Sequence, residues 1–161
     1  MFFSTSKNYD LDKLKEGFSF ELFKTNWKIT EVAQYDWRMD NSSKEYTIVA
    51  HDKTAFLEVE YTKGNYEITY SEAIEISEAF LIDALQSKQL IFENKLYELE
   101  ESYSGDYKNL TTHSSRENLE SFLFYAEDDA VLTIEKWSDG SYEAFLGEEL
   151  KAKKIKNIKE N

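Results

Sequence analysis

The chain contains no cysteine. That absence excludes disulfides, thiolate nucleophiles and every cysteine-based zinc or iron–sulfur site, and it fits a reducing compartment. Proline is missing too, where average usage of about 5% would place several; the sequence alone supplies no physical reason for it. Histidine is nearly absent. His51 in "AHDKTA" and His113 in "TTHSS" both read as solvated loop residues, which leaves a Ser/His relay or a histidine metal site nothing to build on. The glycines Gly17, Gly64, Gly105, Gly140 and Gly147 are scattered, so no phosphate-cradling loop is present. No stretch approaches the ~20 apolar residues of a membrane-spanning helix, and the opening "MFFSTSKNYDLDKLKEG" lacks the apolar core of a signal peptide. The expected location is the cytoplasm.

What the chain does have is acid and aromatic rings. Its 161 residues are 41% hydrophobic, 16% aromatic and 32% charged, with 32 Asp and Glu against 19 Lys and Arg, a formal charge of -13. There is apolar material enough to fold, and the negative charge disfavours nucleic acid and anionic membranes as partners. "YAEDDAV" clusters Glu127, Asp128 and Asp129 but lacks the alternating ligands of a calcium loop, so no metal and no cofactor are expected. With so many acids, any carboxylate pair chosen for glycosidase chemistry is uninformative. No catalytic residue stands out, and the expectation is that the protein is not an enzyme.

The chain writes one pattern twice. "AFLEVEYTKGNYEITYSEAI" at 55–74 is echoed by "AVLTIEKWSDGSYEAFLGEEL" at 130–150. "NYEITY" and "SYEAFL" alternate with period two, and Gly64 and Gly140 supply tight turns, so each copy predicts a hairpin. "YTIVA" and "FLFYA" add a third strand to each. Further upstream, Trp27, Ile29, Glu31, Asp36 and Trp37 align with Tyr97, Leu99, Glu101, Asp106 and Tyr107 at an offset of 70, which grows to 76 beyond the second glycine. Aromatic matches aromatic and glycine matches glycine, which reads as an internal duplication.

The pattern predicts a mainly β fold made of two pseudo-repeated antiparallel meanders, small sheets or half-barrels packed together so that each covers the other's apolar face. The division is a first repeat at 1–75 with a short N-terminal helical turn, a linker or short helix at 76–90, and a second repeat at 91–161 with a lysine-rich tail. "ISEAFLIDALQSK" carries helical spacing after Ser77, a candidate cap, and reads equally as an extended linker. In the tail "KAKKIKNIKEN", Ile155 and Ile158 are candidates to dock one final turn, with the lysines pairing against the acidic surface.

The candidate binding residues are the matched aromatic and acidic positions Trp27, Asp36, Trp37, Tyr97, Asp106 and Tyr107. Large aromatics on strands ordinarily belong to cores. Lining a groove between the halves, rings beside carboxylates favour a cation through charge pairing and cation–π attraction, or a basic peptide.

The segments "LKEG", "WKITEV", "YDW", "EYTIV" and "AFLEVE", followed by "LYELEESYSGDY" and "VLTIEKWSDGSYEAFLG", resemble the bacterial DUF4178 family, a domain of unknown function, over most of the chain. The resemblance implies a non-enzymatic protein with no catalytic residues to carry over, and a setting near membrane-stress and polyamine-related proteins. Three functions are open. The first is a cytosolic binding or adaptor protein with a protein partner, in a bacterial stress-related assembly. The second is an acidic immunity protein or nucleic-acid mimic that neutralises a basic partner. The third is a binder of a small cationic ligand such as a polyamine, for which Asp36→Asn should weaken binding sharply.

Overall fold

The computed structural model describes residues 9–38 and 40–161; the reading of residues 1–8 as free of a signal peptide lies outside them. The fold is mainly β, as the alternation predicts. Among the described residues, eleven antiparallel strands form one sheet: β1 (Ser19–Leu22), β2 (Thr25–Trp37), β3 (Asn41–Ala50), β4 (Lys53–Thr62), β5 (Asn65–Ile74), β6 (Gln89–Phe92), β7 (Lys95–Asn109), β8 (Glu117–Tyr125), β9 (Val131–Trp137), β10 (Tyr142–Leu150) and β11 (Lys156–Lys159). The helix α1 (Glu78–Ser87) precedes β6, with Ser77 Oγ accepting from the backbone N–H of Phe80, so 76–90 holds a capped helix rather than an extended linker. A 3-10 turn at Leu11–Lys13 precedes β1 in the same way.

The two halves therefore share an order of elements: a helical turn or helix, a short hairpin, then three more strands. Both short hairpins turn on two residues with positive φ, Phe23 and Lys24 in one and Glu93 and Asn94 in the other, the twist that two-residue turns between right-twisted strands require. Those pairs differ by the same offset of 70. So do the two bulges, between Ile29 and Glu31 in β2 and between Leu99 and Glu101 in β7.

Neighbouring strands follow the order β11, β1, β2, β3, β4, β5, β10, β9, β8, β7, β6, and β2 also pairs with β7. That last pairing closes a ring of eight strands, from β2 through β5, across to β10, and back to β7. The short strands lie outside it: β1 on the N-terminal part of β2, covered in turn by β11, and β6 on the N-terminal part of β7. The tail docks as a strand rather than a final turn, after a 3-10 turn at Ala152–Lys154, with Ile155 buried and Ile158 packed on the first core. In a closed ring both edges of a strand are paired, and the missing N–H of proline breaks such a ladder. The absence of proline thereby acquires a reason.

The apolar residues do not pool between the halves, as the paired-meander expectation had it. Each half holds its own core. One gathers Phe20, Leu22, Trp27, Ile29, Tyr46, Ile48, Leu57 and Ile68 with the N-terminal turn; the other gathers Leu81, Leu90, Tyr97, Phe124, Leu132 and Ile134 under α1. Tyr46 ties its core to that turn by donating to the carbonyl of Leu11 at 2.7 Å and accepting from the N–H of Leu14 at 3.1 Å. One face of the ring strands packs on these cores. The opposite face, with Ser43, Glu45, Glu58 and Glu135 among others, turns to the space the ring encloses. Among the described residues no helix is long and apolar enough to cross a membrane.

The halves meet at two seams. β2 faces β7 from Ala33–Asn109 to Trp37–Gly105, and β5 faces β10 with Ser71 opposite Gly147. At the second seam a Cβ on Gly147 would lie 1.9 Å from the carbonyl oxygen of Tyr70, whereas one on Gly64, in an open turn, meets nothing within 4 Å. Gly147→Ala should lower the unfolding free energy by about 2–4 kcal/mol through this overlap, and Gly64→Ala by about 1 kcal/mol from its positive φ alone. Urea denaturation of the two variants checks both values.

Candidate functional site

The bulges decide what the ring contains. In a strand, successive side chains alternate faces, and one extra residue exchanges the faces for everything beyond it. Before the bulge in β2, Trp27 and Ile29 point into the first core; beyond it Val32 keeps that direction, and Ala33, Tyr35 and Trp37 point into the ring. In β7, Tyr97 and Leu99 contact the second core, while Tyr103, Gly105 and Tyr107 face inward.

Two chambers result, one toward each end of the ring. The larger, of about 580 Å³, is lined from all eight ring strands and includes Trp37, Glu58, Glu60, Glu67, Tyr103 and Glu149. The smaller, about 330 Å³, is lined by residues displaced along the ring strands other than β5, including Tyr35, Glu45, Tyr107, Glu135, Trp137 and Glu143. Each takes five carboxylates: Glu58, Glu60, Glu67, Glu101 and Glu149 in the first, Glu45, Glu117, Glu135, Asp139 and Glu143 in the second. Among the described residues, neither has a Lys, Arg or His in its lining. Among the described residues, the ion pairs join Lys13 to Asp10, Lys53 to Glu72, Lys95 to Asp128, and Arg116 to Asp36 and Asp106, none of them a lining acid.

A file of aromatic rings runs between the chambers along the β2–β7 seam. Tyr103 lies 6.1 Å from Trp37, Trp37 stacks on Tyr35 at 4.9 Å and 5°, Tyr35 meets Tyr107 at 5.1 Å, and Tyr107 meets Trp137 edge-on at 5.4 Å. Gly105 makes room for this file. It sits opposite Trp37, and a Cβ there would lie 2.7 Å from the indole Cε3.

The inner acids are tied to the file by hydrogen bonds. The Trp37 indole N–H donates to Ser43 Oγ at 3.1 Å, and Ser43 donates to Glu58 Oε2 at 2.7 Å. The Tyr35 hydroxyl lies 3.1 Å from Glu45 Oε2 and 3.4 Å from Glu135 Oε1, joining acids of β3 and β9 across the ring. The Trp137 indole N–H is buried with no partner among the described residues. Burial first, and the neighbouring glutamates second, push Glu45 up to about 8; burial, Glu45, Glu143 and Glu58 raise Glu135 well above the carboxylate range. Burial also raises Glu58 and Glu60. Removing a carboxylate from water disfavours its charged form, and no cation restores it.

The sequence candidates divide. Asp36, Trp37, Asp106 and Tyr107 do meet, for β2 and β7 pair with Asp36 opposite Asp106. Alternation then separates them: Trp37 and Tyr107 face the chambers, while both aspartates face outward and share Arg116, each at 3.4 Å. Trp27 and Tyr97 line neither chamber. They are 3% and 2% exposed in separate cores, Trp27 donating to the carbonyl of Leu22 at 3.1 Å. Glu45, Glu58 and Glu135 escaped sequence reading because each occupies a polar slot of an alternating strand, the usual signature of a solvated face. His51 and His113 are exposed, as expected.

An acid whose folded pKa is raised leaves the folded state holding a proton the unfolded chain has lost, so stability falls as pH rises between the two values. With Glu45 at an ordinary 4.5 when unfolded and about 8 when folded, the ligand-free protein should lose thermal stability steadily from about pH 5 to pH 8. Glu135→Gln should flatten that slope and raise the melting temperature at the alkaline end by several degrees. Melting curves across this range test it.

Comparison with known proteins gives a family and a relative. A protein of Aquifex aeolicus (strain VF5) described as uncharacterized is 28% identical, over 92% of this chain and 84% of that protein. No solved structure matches. The family model for "Domain of unknown function (DUF4178)" matches residues 15–152, a span that contains the whole of the ring, and the chain belongs to that family.

Proposed function

We propose that this protein binds a small organic cation, of the amine or polyamine class, inside the ring, and does so without catalysing a reaction on it. The observation that carries the reading is the composition of the chambers among the described residues: ten carboxylates, a continuous aromatic file and no basic side chain. An ammonium group finds charge pairing from the acids and cation–π attraction from the rings in one place. The larger chamber has the size of an ordinary small-molecule site. The unpartnered Trp137 N–H adds a donor for a ligand oxygen or nitrogen.

The distribution of charge weighs against an acidic neutraliser. Of the 32 acids, ten line the chambers, which leaves 22 elsewhere against 19 Lys and Arg. Of those ten, Glu45, Glu58, Glu60 and Glu135 are withdrawn from the surface, where a basic protein does not reach them.

One observation supports the adaptor reading as a second role. Ile91 and Leu96 pair across the hairpin of β6 and β7, exposed by 65% and 45%. The matching strand β1 is covered by β11, while among the described residues β6 pairs with β7 alone. An open apolar edge of this kind takes a strand from a protein partner.

A thermal-shift panel of choline, 1,4-diaminobutane and spermidine tests the first reading. At least one should raise the melting temperature by several degrees, as a ligand at a hundred times its Kd contributes about 2.7 kcal/mol, and neutral or anionic analogues should not. Glu58→Gln and Trp37→Ala should each weaken binding about tenfold or more, whereas Asp36→Asn, on the outer face, should leave it unchanged. For the second reading, an Ile91→Asp and Leu96→Asp double variant should lose any protein retained from a native lysate at moderate salt while keeping cation binding.

A further inference from the structure

The Tyr35 hydroxyl has one proton and two carboxylate neighbours, Glu45 Oε2 at 3.1 Å from β3 and Glu135 Oε1 at 3.4 Å from β9. It donates to one of them. If both acids were ionised, the other contact would set a phenolic oxygen against an anionic one with no hydrogen between them, in a site where Tyr35 is 2% and Glu135 7% exposed. A proton on one carboxyl group resolves this, since that group then donates to the hydroxyl.

The surroundings supply no other remedy. The groups that face this pair are Glu58 from β4, Tyr107 from β7, Glu117 from β8, Glu143 from β10, Asp139 from the turn after β9, and Glu31 near Tyr107 through Asn109. All are acidic or phenolic. The direction of the Glu45 and Glu135 shifts agrees with a retained proton.

We propose that the ring exchanges protons for its cation: as the ligand's positive group enters beside Glu45 and Glu135, the carboxyl O–H bond breaks, the proton leaves to solvent and the carboxylate pairs with the cation. Acidification reverses the step and releases the ligand. This rests on the cation-binding reading and deepens it, because it makes uptake and release a function of pH.

The test has two arms. In the first, carbon-13 NMR of glutamate-labelled, ligand-free protein should show a carboxyl group titrating at about pH 7 to 8, lost in Glu135→Gln or Glu45→Gln and shifted in Tyr35→Phe. In the second, spermidine and choline are titrated calorimetrically in buffers of different ionisation enthalpy. Binding should release about one proton per cation, and affinity should fall about tenfold per pH unit below about pH 7.5; Glu135→Gln should lower both values. If every glutamate titrates below about pH 5.5, the exchange is overturned whether or not a ligand binds. If a probe binds at a pH-independent Kd with no proton released, the exchange fails and cation binding stands. If the alkaline titration is present and neither probe binds, the cation-binding reading falls and takes the exchange with it.

Discussion

Closure of the ring rests on five residue pairs between β2 and β7, from Ala33–Asn109 to Trp37–Gly105, and on the bulges that precede them. A strand has two hydrogen-bonding edges. β2 gives one to β3 along its length and divides the other, its first part to β1 and its last part to β7. β7 does the same with β8, β6 and β2. The bulges make this division possible, since they turn the later part of each strand away from its own core. Without them, Tyr35 and Trp37 would fall on the core face, and the seam would turn Gln34, Asp36, Asp106 and Lys108 inward in place of the aromatic file.

From that constraint comes the separation of apolar and acidic material. Each half gathers a core mostly from its own residues, the first completed by Leu110, Leu150 and the tail's Ile155 and Ile158, which frees the facing surfaces for polar residues. Those surfaces carry like charge. Ten carboxylates around two chambers repel one another, and Glu45, Glu58, Glu60 and Glu135 lose hydration as well. What holds them together is backbone pairing at the two seams and the aromatic file, with Gly105 and Gly147 permitting close approach at one seam each. The cores thus stabilise the walls, and the walls confine a charge that a free surface would disperse into solvent.

Much of this architecture was legible in the sequence. Period two in "NYEITY" and "SYEAFL", with Gly64 and Gly140 between strands, marked hairpins that are there, and the matched Asp36–Trp37 and Asp106–Tyr107 marked strands that meet. Four-residue strands such as β1, β6 and β11 are too short to show a period, and the lysine-rich tail concealed the last of them. The site was harder to see. A bulge is a single residue with no composition of its own, yet it decides that Trp37 and Tyr107 face inward and that Asp36 and Asp106 face Arg116 outside. Alternation says that Glu45, Glu58 and Glu135 lie opposite the core. Only closure, a contact between residues seventy apart, says that the space opposite the core is enclosed.

The correspondence of the halves also explains why a charged interior forms where it does. The offset of 70 carries Asp36 onto Asp106, and these two are paired directly; the offset of 76 carries Ser71 onto Gly147, and these are paired as well. An approximate two-fold axis therefore passes through both seams, and every inward group of one half meets the counterpart face of the other. Matching acidic faces set against each other across an axis concentrate charge that neither half presents alone. The departures from symmetry fall at the centre: Tyr35 stands where the other half has Gly105, so one ring occupies a space that two would overfill, and its single hydroxyl is shared between Glu45 and Glu135. A symmetric tyrosine pair would give each acid its own donor. The single tyrosine leaves one carboxyl group short, and a proton or a cation makes up the difference.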